Sequence, residues 1–309
     1  MRSQIIGAAC AVILPATAAL AAGGQPRAWV SGPGLDAASC GAIASPCRTL
    51  QYAHDNIVAP GGSIYVKGPA NYGQIVIRQA ISIINDGSGT ATILAPSGIA
   101  VAVQAGANDA VLIRGMTLDG AGTGAGGVLL TSGLELVIAD CVIQSFRKAG
   151  LSAGLAIQTN SGLTNFLVER TTIAGNGTFG VYVVPDSVNA AFGTIRGSSI
   201  SGGVFGVYVS GPLVGAARVT IADVTIQSPS QEGLEADGTA FLRAKRVHID
   251  GVAGDGVLAK SAVIVELSDS GFSNNVVDIG NIGGSSQVVS YGDNSYATHS
   301  GVVTPRAKQ

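Results

Sequence analysis

The region from Val111 to Phe272 repeats one pattern, in which alternating apolar and polar residues lead to a large apolar residue that we call the anchor. Strict alternation predicts β-strands that bury one face. The seven anchors follow one another at intervals of 23 to 30 residues: Leu118, Ile143, Ile173, Ile200, Ile226, Ile249 and Phe272. A repeat of this length predicts a solenoid, in which each turn buries its apolar face against the next turn.

A glycine followed by valine or leucine comes after each of the first six anchors. These pairs are Gly127-Val128, Gly150-Leu151, Gly180-Val181, Gly206-Val207, Gly233-Leu234 and Gly256-Val257. Aligning the pairs places equivalent residues of successive turns about 4.8 Å apart. The alignment therefore predicts which side chains are neighbours on the surface.

Two rows of this alignment form one outward face. The residues before the glycine are Gly126, Ala149, Phe179, Phe205, Glu232 and Asp255, and those two places after it are Leu129, Ser152, Tyr182, Tyr208, Glu235 and Leu258. Exposed aromatic rings pack against the apolar side of sugars, and carboxylates accept hydrogen bonds from sugar hydroxyl groups. Stacked like residues also stabilise neighbouring strands without any ligand, and this second interpretation stays open.

The predicted ligand-binding face consists of Phe179, Tyr182, Phe205, Tyr208, Glu232, Glu235 and Asp255. Its expected partner is a polysaccharide or a cell-surface glycan. Glu232 and Asp255 are weak candidates for acid catalysis, because two carboxylates about 5 Å apart split their pKa values and match the spacing of retaining glycosidases. Every stacked pair on a solenoid has this spacing, so no catalytic residue is assigned.

Calcium is expected only if the protein is a polysaccharide lyase, which needs three or more convergent carboxylates and a base. No other metal or cofactor is predicted. Asp237 and Lys260 occupy equivalent positions four residues after their glycines, and we expect them to pair with each other.

A third row, three residues before each anchor, alternates in charge. It contains Asp140 and Arg170 and, further along, Asp223, Arg246 and Asp269; one position earlier, Glu169 lies above Arg196. Exposed ion pairs of this kind contribute about 0 to 1 kcal/mol each. We interpret this row as structural.

The composition agrees with a folded β-protein. Of 309 residues, 45 are glycine and 12% are charged, whereas 47% are hydrophobic. Short runs of valine, isoleucine and threonine between glycines are typical of strands joined by tight turns. The net charge is −2 and no basic block occurs, which excludes the electrostatic surface of a nucleic-acid-binding protein.

Residues 1–21 have the features of a cleaved signal peptide, namely a positive start, an apolar stretch and a small-residue cleavage site ending at Ala21. The stretch is shorter than the roughly 20 apolar residues of a membrane span, and no second one follows. We therefore expect a secreted, periplasmic or cell-surface location. In an oxidising compartment Cys40 and Cys47 are expected to form a disulfide, and Cys141 is expected to be buried.

The segment before the repeats is expected to cap the solenoid. Ser45 and Pro46 have the residue types of a helix N-cap and of a first helical position, and Pro60-Gly61-Gly62 is expected to end this helix. The chain thus divides into a signal peptide at 1–21, an N-terminal cap with disulfide and helix at 22–62, the solenoid turns at 63–284 and a C-terminal cap or tail at 285–309.

Several motifs resemble those of a known family. They are Trp29-Val30-Ser31, Pro46-Cys47-Arg48-Thr49-Leu50, Pro60-Gly61-Gly62-Ser63-Ile64-Tyr65-Val66 and Ser290-Tyr291-Gly292-Asp293-Asn294. They are similar to those of exported bacterial repeat proteins of the pectate-lyase-like superfamily. The resemblance implies an all-β, single-stranded, right-handed parallel β-helix, and it implies no particular activity.

Three functional hypotheses stay open on the sequence. The favoured one is a secreted, non-catalytic scaffold that binds carbohydrate or another surface. The second is a structural cell-surface protein without a small ligand. The third is a polysaccharide lyase or glycoside hydrolase acting on an acidic polysaccharide. It is ranked last because the paired Asp, Gly-His-Gly and Arg-Ile-Lys motifs of pectin hydrolases do not occur, and neither does a serine-hydrolase, phosphate-loop or calcium-nonapeptide motif.

Overall fold

The computed structural model describes residues 24–150, 152–186, 188–212 and 217–307. This part of the chain is an all-β, right-handed parallel β-solenoid of about eight turns with one short helix, which confirms the predicted fold. The predicted signal peptide and Leu151 lie outside the described residues. Among those described, no helix has the length and apolar character needed to cross a membrane.

Short apolar runs form the strands. The first part of the chain contains β1 (Gln25–Val30), α1 (Leu50–Asn56), β2 (Val58–Val66), β3 (Ala70–Asn71), β4 (Ile75–Ile77), β5 (Ile81–Ile84), β6 (Ala91–Leu94), β7 (Ile99–Gln104), β8 (Ala110–Arg114) and β9 (Met116–Asp119). The central part contains β10 (Gly126–Ser132), β11 (Glu135–Ala139), β12 (Val142–Gln144), β13 (Ala153–Ile157), β14 (Leu163–Glu169), β15 (Thr172–Ala174), β16 (Phe179–Val183), β17 (Ala190–Arg196), β18 (Ser199–Ser201) and β19 (Phe205–Gly211). The last part contains β20 (Ala217–Gln227), β21 (Glu232–Gly238), β22 (Phe241–Asp250), β23 (Asp255–Ala259), β24 (Ile264–Ser268), β25 (Gly271–Ser273), β26 (Val277–Asn281), β27 (Gln287–Tyr291), β28 (His299–Ser300) and β29 (Val303–Arg306).

In the described residues these strands form two sheets. The ten-stranded sheet has the order β4, β7, β10, β13, β16, β19, β21, β23, β26 and β28, and the other strands form a nineteen-stranded sheet. The seven anchors lie in the nineteen-stranded sheet, where each pairs with the next, from Leu118 with Ile143 to Ile249 with Phe272. All seven are buried, so the predicted repeat is the repeat of the fold.

The glycine of each pair is required by close packing between turns. A Cβ atom on Gly180 would lie 2.5 Å from the carbonyl oxygen of Gly206 and 2.5 Å from Cγ2 of Ile200. A Cβ atom on Gly206 would meet the same kinds of neighbour, at 2.5 Å from the oxygen of Gly233 and 2.7 Å from Cγ2 of Ile226. The glycine row therefore lets the ten-stranded sheet lie directly against the anchors.

One of the six glycine pairs is misaligned in the sequence-based prediction. β10 and β13 pair so that Val128 lies opposite Leu155. The pair equivalent to Gly127-Val128 is therefore Gly154-Leu155, and the prediction of Gly150-Leu151 is wrong. The loop before β13 is four residues longer than the corresponding loop of the next turn, so a second glycine occurs at the expected distance from the anchor.

The charged third row marks a sharp corner of each turn. Asp140, Arg170, Asp223 and Arg246 all have φ between 47° and 56°, the left-handed region that favours glycine. Arg170 Nε donates to Asp140 Oδ1 over 2.7 Å, and Arg246 Nε donates to Asp223 Oδ1 over 2.5 Å. The predicted alternating ion pairs are thus confirmed, and they link the corners of successive turns.

The cap helix begins later than predicted. Thr49 is its N-cap, because its hydroxyl accepts the backbone N–H of Tyr52 over 3.2 Å. Asp36 Oδ1 accepts the backbone N–H groups of Arg48 and Thr49. Ser45 instead lies in a turn, where its N–H donates to Ala42, so the predicted start at Ser45 and Pro46 is wrong.

The end of the helix also differs from the prediction. Pro60-Gly61-Gly62 does not stop the helix but lies inside β2, which already begins at Val58. The disulfide between Cys40 and Cys47 is present, as predicted. Cys141 is buried, as predicted, and desolvation raises the pKa of its thiol to about 11.

Candidate functional site

The predicted face residues come together on the outside of the ten-stranded sheet. β16 and β19 pair Phe179 with Phe205 and Tyr182 with Tyr208. β19 and β21 then place Glu232 beside Phe205 and Glu235 beside Tyr208. We call these residues, together with Asp237, Asp255 and Lys260, the acid–aromatic face.

Small residues border this face on its N-terminal side. Ala153 and Ala156, rather than the predicted Ala149 and Ser152, lie beside the aromatic residues of β16. Phe179 packs against both alanines and is only 7% exposed. The expectation of an exposed ring is therefore wrong for Phe179, whereas the other three rings are half-buried.

The four rings form two stacked pairs along the solenoid axis, with tilted or edge contacts between the pairs. The centroids of Phe179 and Phe205 are 5.0 Å apart with 18° between the ring planes. Those of Tyr182 and Tyr208 are 5.5 Å apart with 11° between the planes. Because each ring covers the face of its neighbour, the aromatic stack offers a ligand mainly ring edges rather than open ring faces.

A buried ion pair lies at the acidic end of the stack. The Glu235 side chain is 3% exposed, and its Oε1 atom accepts a hydrogen bond from Lys260 Nζ over 2.7 Å. Burial raises the pKa of Glu235 above its usual range, against the pull of Lys260. Burial lowers the pKa of Lys260, but Glu235 outweighs it, so the net shift of the lysine is upward.

This pairing replaces the predicted pair of Asp237 with Lys260. Asp237 Oδ1 already accepts hydrogen bonds from the Gly238 backbone and the Ser261 hydroxyl, both over 2.6 Å. Although burial acts to raise it, these donors bring the pKa of Asp237 below its usual range. Lys260 therefore contacts Glu235, which has no other donor among the described residues, instead of Asp237 in its own row. Aligning the rows alone does not reveal a contact between different rows.

Glu232 and Asp255 begin adjacent strands, and the register of β21 with β23 places them side by side. Burial raises the pKa of Glu232, and the negative charges of Glu235 and Asp255 raise it further, whereas Lys260 lowers it. Burial also raises the pKa of Asp255. Both carboxyl groups are therefore held closer to protonation than a solvated side chain.

Two carboxylate oxygens of this face have unused hydrogen-bonding capacity. Oε2 of Glu232 and Oε2 of Glu235 are both buried without a hydrogen-bond donor among the described residues. A buried acceptor without a donor is costly. A negative charge on either atom is therefore unfavourable, which agrees with the raised pKa of both carboxyl groups.

Among the described residues, the carboxylates of the acid–aromatic face are not part of a compact group of three or more potential metal ligands. Within the described residues, the one set of potential ligand atoms lying within 4.8 Å of one another consists of Asp36, Cys40 and Cys47. Both cysteines are joined in the disulfide, and Asp36 caps the helix.

A comparison of the sequence with protein-family models finds no match, and a comparison with curated proteins finds none either. Two solved structures of the GH136 lacto-N-biosidase from Eubacterium ramulus are similar in chain path. The selenomethionine derivative has a TM-score of 0.49 at 12% identity, and the native protein has 0.45 at 11%. Each comparison covers 91% of this chain and 68% of the other.

Proposed function

We propose that this β-solenoid is an exported, non-catalytic carbohydrate-binding protein whose ligand lies on the acid–aromatic face. The observation that carries the proposal is that half-buried aromatic rings of β16 and β19 lie beside the half-buried carboxylates of Glu232 and Asp255 on one outward face. Carboxylates accept hydrogen bonds from sugar hydroxyl groups, and ring edges beside them supply apolar contact.

The charge of the face restricts the ligand. Four carboxylates, on Glu232, Glu235, Asp237 and Asp255, stand against the single cation of Lys260. A glycan that carries its own negative charges would be repelled at this surface. The proposed ligand is therefore a neutral or amino-sugar glycan, and an acidic polysaccharide is not favoured here.

The first test is a glycan array followed by calorimetry on the glycans that bind. Replacement Glu232→Gln keeps the shape of the side chain but removes its charge and one acceptor. We expect it to weaken binding about tenfold or more, because a hydrogen bond to a charged group is lost. Tyr208→Phe removes only a hydroxyl group, which lies near the Asp237 carboxylate, and we expect a smaller loss.

A matched control is Glu135→Gln, an exposed glutamate on the nineteen-stranded sheet. It changes the net charge by the same amount and should leave binding unchanged. Binding that survives Glu232→Gln, or that falls equally in Glu135→Gln, would contradict the proposal. So would a protein that binds no neutral or amino-sugar glycan at all.

Glycoside hydrolysis is the second candidate, and one observation favours it. The pKa of Glu232 is raised by burial and by Glu235, which suits a general acid, and Asp255 lies one turn away, at about the separation found in retaining enzymes. In this scheme Glu232 protonates the glycosidic oxygen, and the bond from that oxygen to the sugar carbon breaks as Asp255 bonds to the carbon. Water that gives its proton to Glu232 then releases the sugar from Asp255.

This candidate is tested by incubating the protein with the glycans that it binds and measuring new reducing ends. An enzyme would release product, and Glu232→Gln would reduce the rate by at least about a hundredfold. Binding without product formation identifies the non-catalytic protein. Product that is unaffected by Glu232→Gln excludes the assignment of Glu232.

A further inference from the structure

A second surface with different chemistry lies on the outside of the nineteen-stranded sheet. In its first row Phe192 pairs with Arg218, Arg218 with Phe241 and Phe241 with Ile264. Arg243 lies two residues after Phe241, in the second row, and Lys245 lies in the third row, on the same outward side of β22. Neither the sequence rows nor the proposed carbohydrate site uses this surface.

The aromatic rings and the arginines of this surface contact one another. The Arg218 guanidinium carbon lies 5.5 Å from the ring centroid of Phe192. The Arg243 guanidinium carbon lies 5.5 Å from the ring centroid of Phe241. Cation–π contacts of this kind hold the planar guanidinium groups close to the sheet while their N–H groups stay exposed to solvent.

Three adjoining concavities follow these residues along the sheet, with volumes of about 350, 570 and 470 Å³. The first two share Arg218 and Thr220, and the last two share Arg243. They therefore form one continuous surface, which we call the basic groove. It runs from Phe192 to Arg306 at the C-terminal end of the described solenoid.

The charge of the basic groove is opposite to that of the acid–aromatic face. Four cations line it, on Arg218, Arg243, Lys245 and Arg306, against two carboxylates, on Glu266 and Asp269. Arg243 pairs with Glu266 over 2.6 Å and is still half-exposed. Arg218 is exposed and makes no ion pair with any described residue.

We propose that the basic groove binds a linear sulfated glycan. Sulfate groups complement the cations, and their oxygens accept paired hydrogen bonds from the guanidinium fork. Phe192 and Phe241 lie two turns apart, about 10 Å, and give apolar contacts to sugar rings that follow the solenoid axis. This site is separate from the proposed neutral-glycan site, and either one can exist without the other.

The position of the cations favours sulfate over a simple uronate chain. Arg218 lies in the first outward row, Arg243 in the second, and Lys245 and Arg306 in the third. Rows are two residues apart along the strands, about 6.6 Å, so the positive charge spreads across the groove as well as along it. Sulfate esters project from both edges of a sugar chain, whereas a uronate carries one carboxylate for each ring.

The test is calorimetry of the protein with a heparin octasaccharide at low salt. We expect saturable binding that weakens as salt is added. Arg218→Gln and Arg243→Gln should each weaken it about tenfold, because each removes a charge-assisted contact. Arg78→Gln, which removes an exposed arginine far from the groove, should leave it unchanged.

Three further ligands decide which chemistry is recognised: the desulfated octasaccharide, hexagalacturonate and a single-stranded DNA oligomer. We expect each of them to bind at least about tenfold more weakly than the sulfated glycan. Equal binding of any of the three would overturn the proposal, and so would heparin binding that Arg218→Gln and Arg243→Gln leave intact. Absence of heparin binding at low salt would overturn it as well.

Discussion

The acid–aromatic face and the basic groove lie on different sheets of one solenoid and have opposite charge. On the ten-stranded sheet, aromatic rings stack on like rings and carboxylates follow them. On the nineteen-stranded sheet, Phe192 is followed one turn later by arginine and Phe241 by isoleucine, and an arginine guanidinium group lies against each of these two rings. The same regular stacking of strands therefore presents two surfaces, and the side chains on each surface determine its charge.

The two sheets also differ in what lies close to their glycines. Within the ten-stranded sheet, the inward side of a row of glycines lies so close to the backbone of the next turn that no side chain fits. In the nineteen-stranded sheet, Gly193 is opposite Phe166, whose ring would lie 2.1 Å from an added Cβ atom. The backbone of the next turn therefore restricts residue size in the glycine row, whereas the Phe166 side chain restricts it at Gly193.

The largest effect that we predict is on the free energy of unfolding, and it follows from this difference. Gly206→Ala would place a methyl group against backbone that cannot move, and we expect a loss of about 3 kcal/mol or more in the free energy of unfolding. The three atoms nearest to an added Cβ on Gly193 all belong to the far end of the Phe166 ring; we expect this side chain to yield more readily than backbone, so Gly193→Ala should cost about 1 to 2 kcal/mol. Urea unfolding followed by circular dichroism measures both.

Gly284→Ala is the control, because no atom lies within 4 Å of its added Cβ position. It should change stability by less than about 0.5 kcal/mol. If Gly206→Ala were as stable as Gly284→Ala, the account of the glycine row would be wrong.

The ion pairs of the two surfaces should differ by a smaller amount. Lys260→Met leaves Glu235 nearly fully buried without its cation, and we expect a loss of about 2 kcal/mol. Arg243→Met removes the partner of Glu266 from a half-exposed pair and should cost about 0.5 kcal/mol. Thermal unfolding of both variants at neutral pH gives the comparison.

A double variant separates burial of charge from loss of packing. Glu235→Leu in the Lys260→Met background removes the unpaired carboxylate and should recover most of the lost stability. Equal losses for Lys260→Met and Arg243→Met would show that the two surfaces do not differ in this respect.

The smallest effect concerns pH. Because the pKa of Glu232 is raised by burial, the folded protein holds this proton more tightly than the unfolded chain. The contribution of Glu232 to stability is therefore favourable below its unfolded pKa and declines as the pH rises through the folded pKa. Glu232→Gln should raise the Tm by about 1 to 2 °C at neutral pH and lose this advantage in acid.

Glu135→Gln again serves as the comparison, since this exposed glutamate lies on the other sheet. Its Tm difference from the unchanged protein should be close to zero at both pH values. A Glu232→Gln variant that is destabilised at neutral pH would contradict the burial of an unsatisfied carboxylate.

Alternating apolar residues and regularly recurring anchors predict the solenoid correctly, because each turn buries one anchor. The alignment fails at Gly150, since a longer loop shifts the true partner to Gly154 without changing the local pattern. It also fails for Ser45, whose residue type suits an N-cap but whose place is taken by Thr49 through contacts with Asp36.

The candidate site is predictable only in part for a similar reason. Rows identify neighbours directly above one another, such as Tyr182 and Tyr208. They do not reveal that Lys260 reaches diagonally to Glu235, or that the stacked rings cover each other's faces. The basic groove was not anticipated because its arginines lie in different rows and no single row is basic.

If one solenoid carries two independent surfaces of opposite charge, each surface should bind its own class of glycan. This is measured with one glycan array probed in parallel with the unchanged protein, Glu232→Gln and Arg218→Gln. We expect Glu232→Gln to lose neutral or amino-sugar glycans and keep sulfated ones, and Arg218→Gln to do the reverse. Loss of the same glycans in both variants, or of none in either, would contradict this expectation.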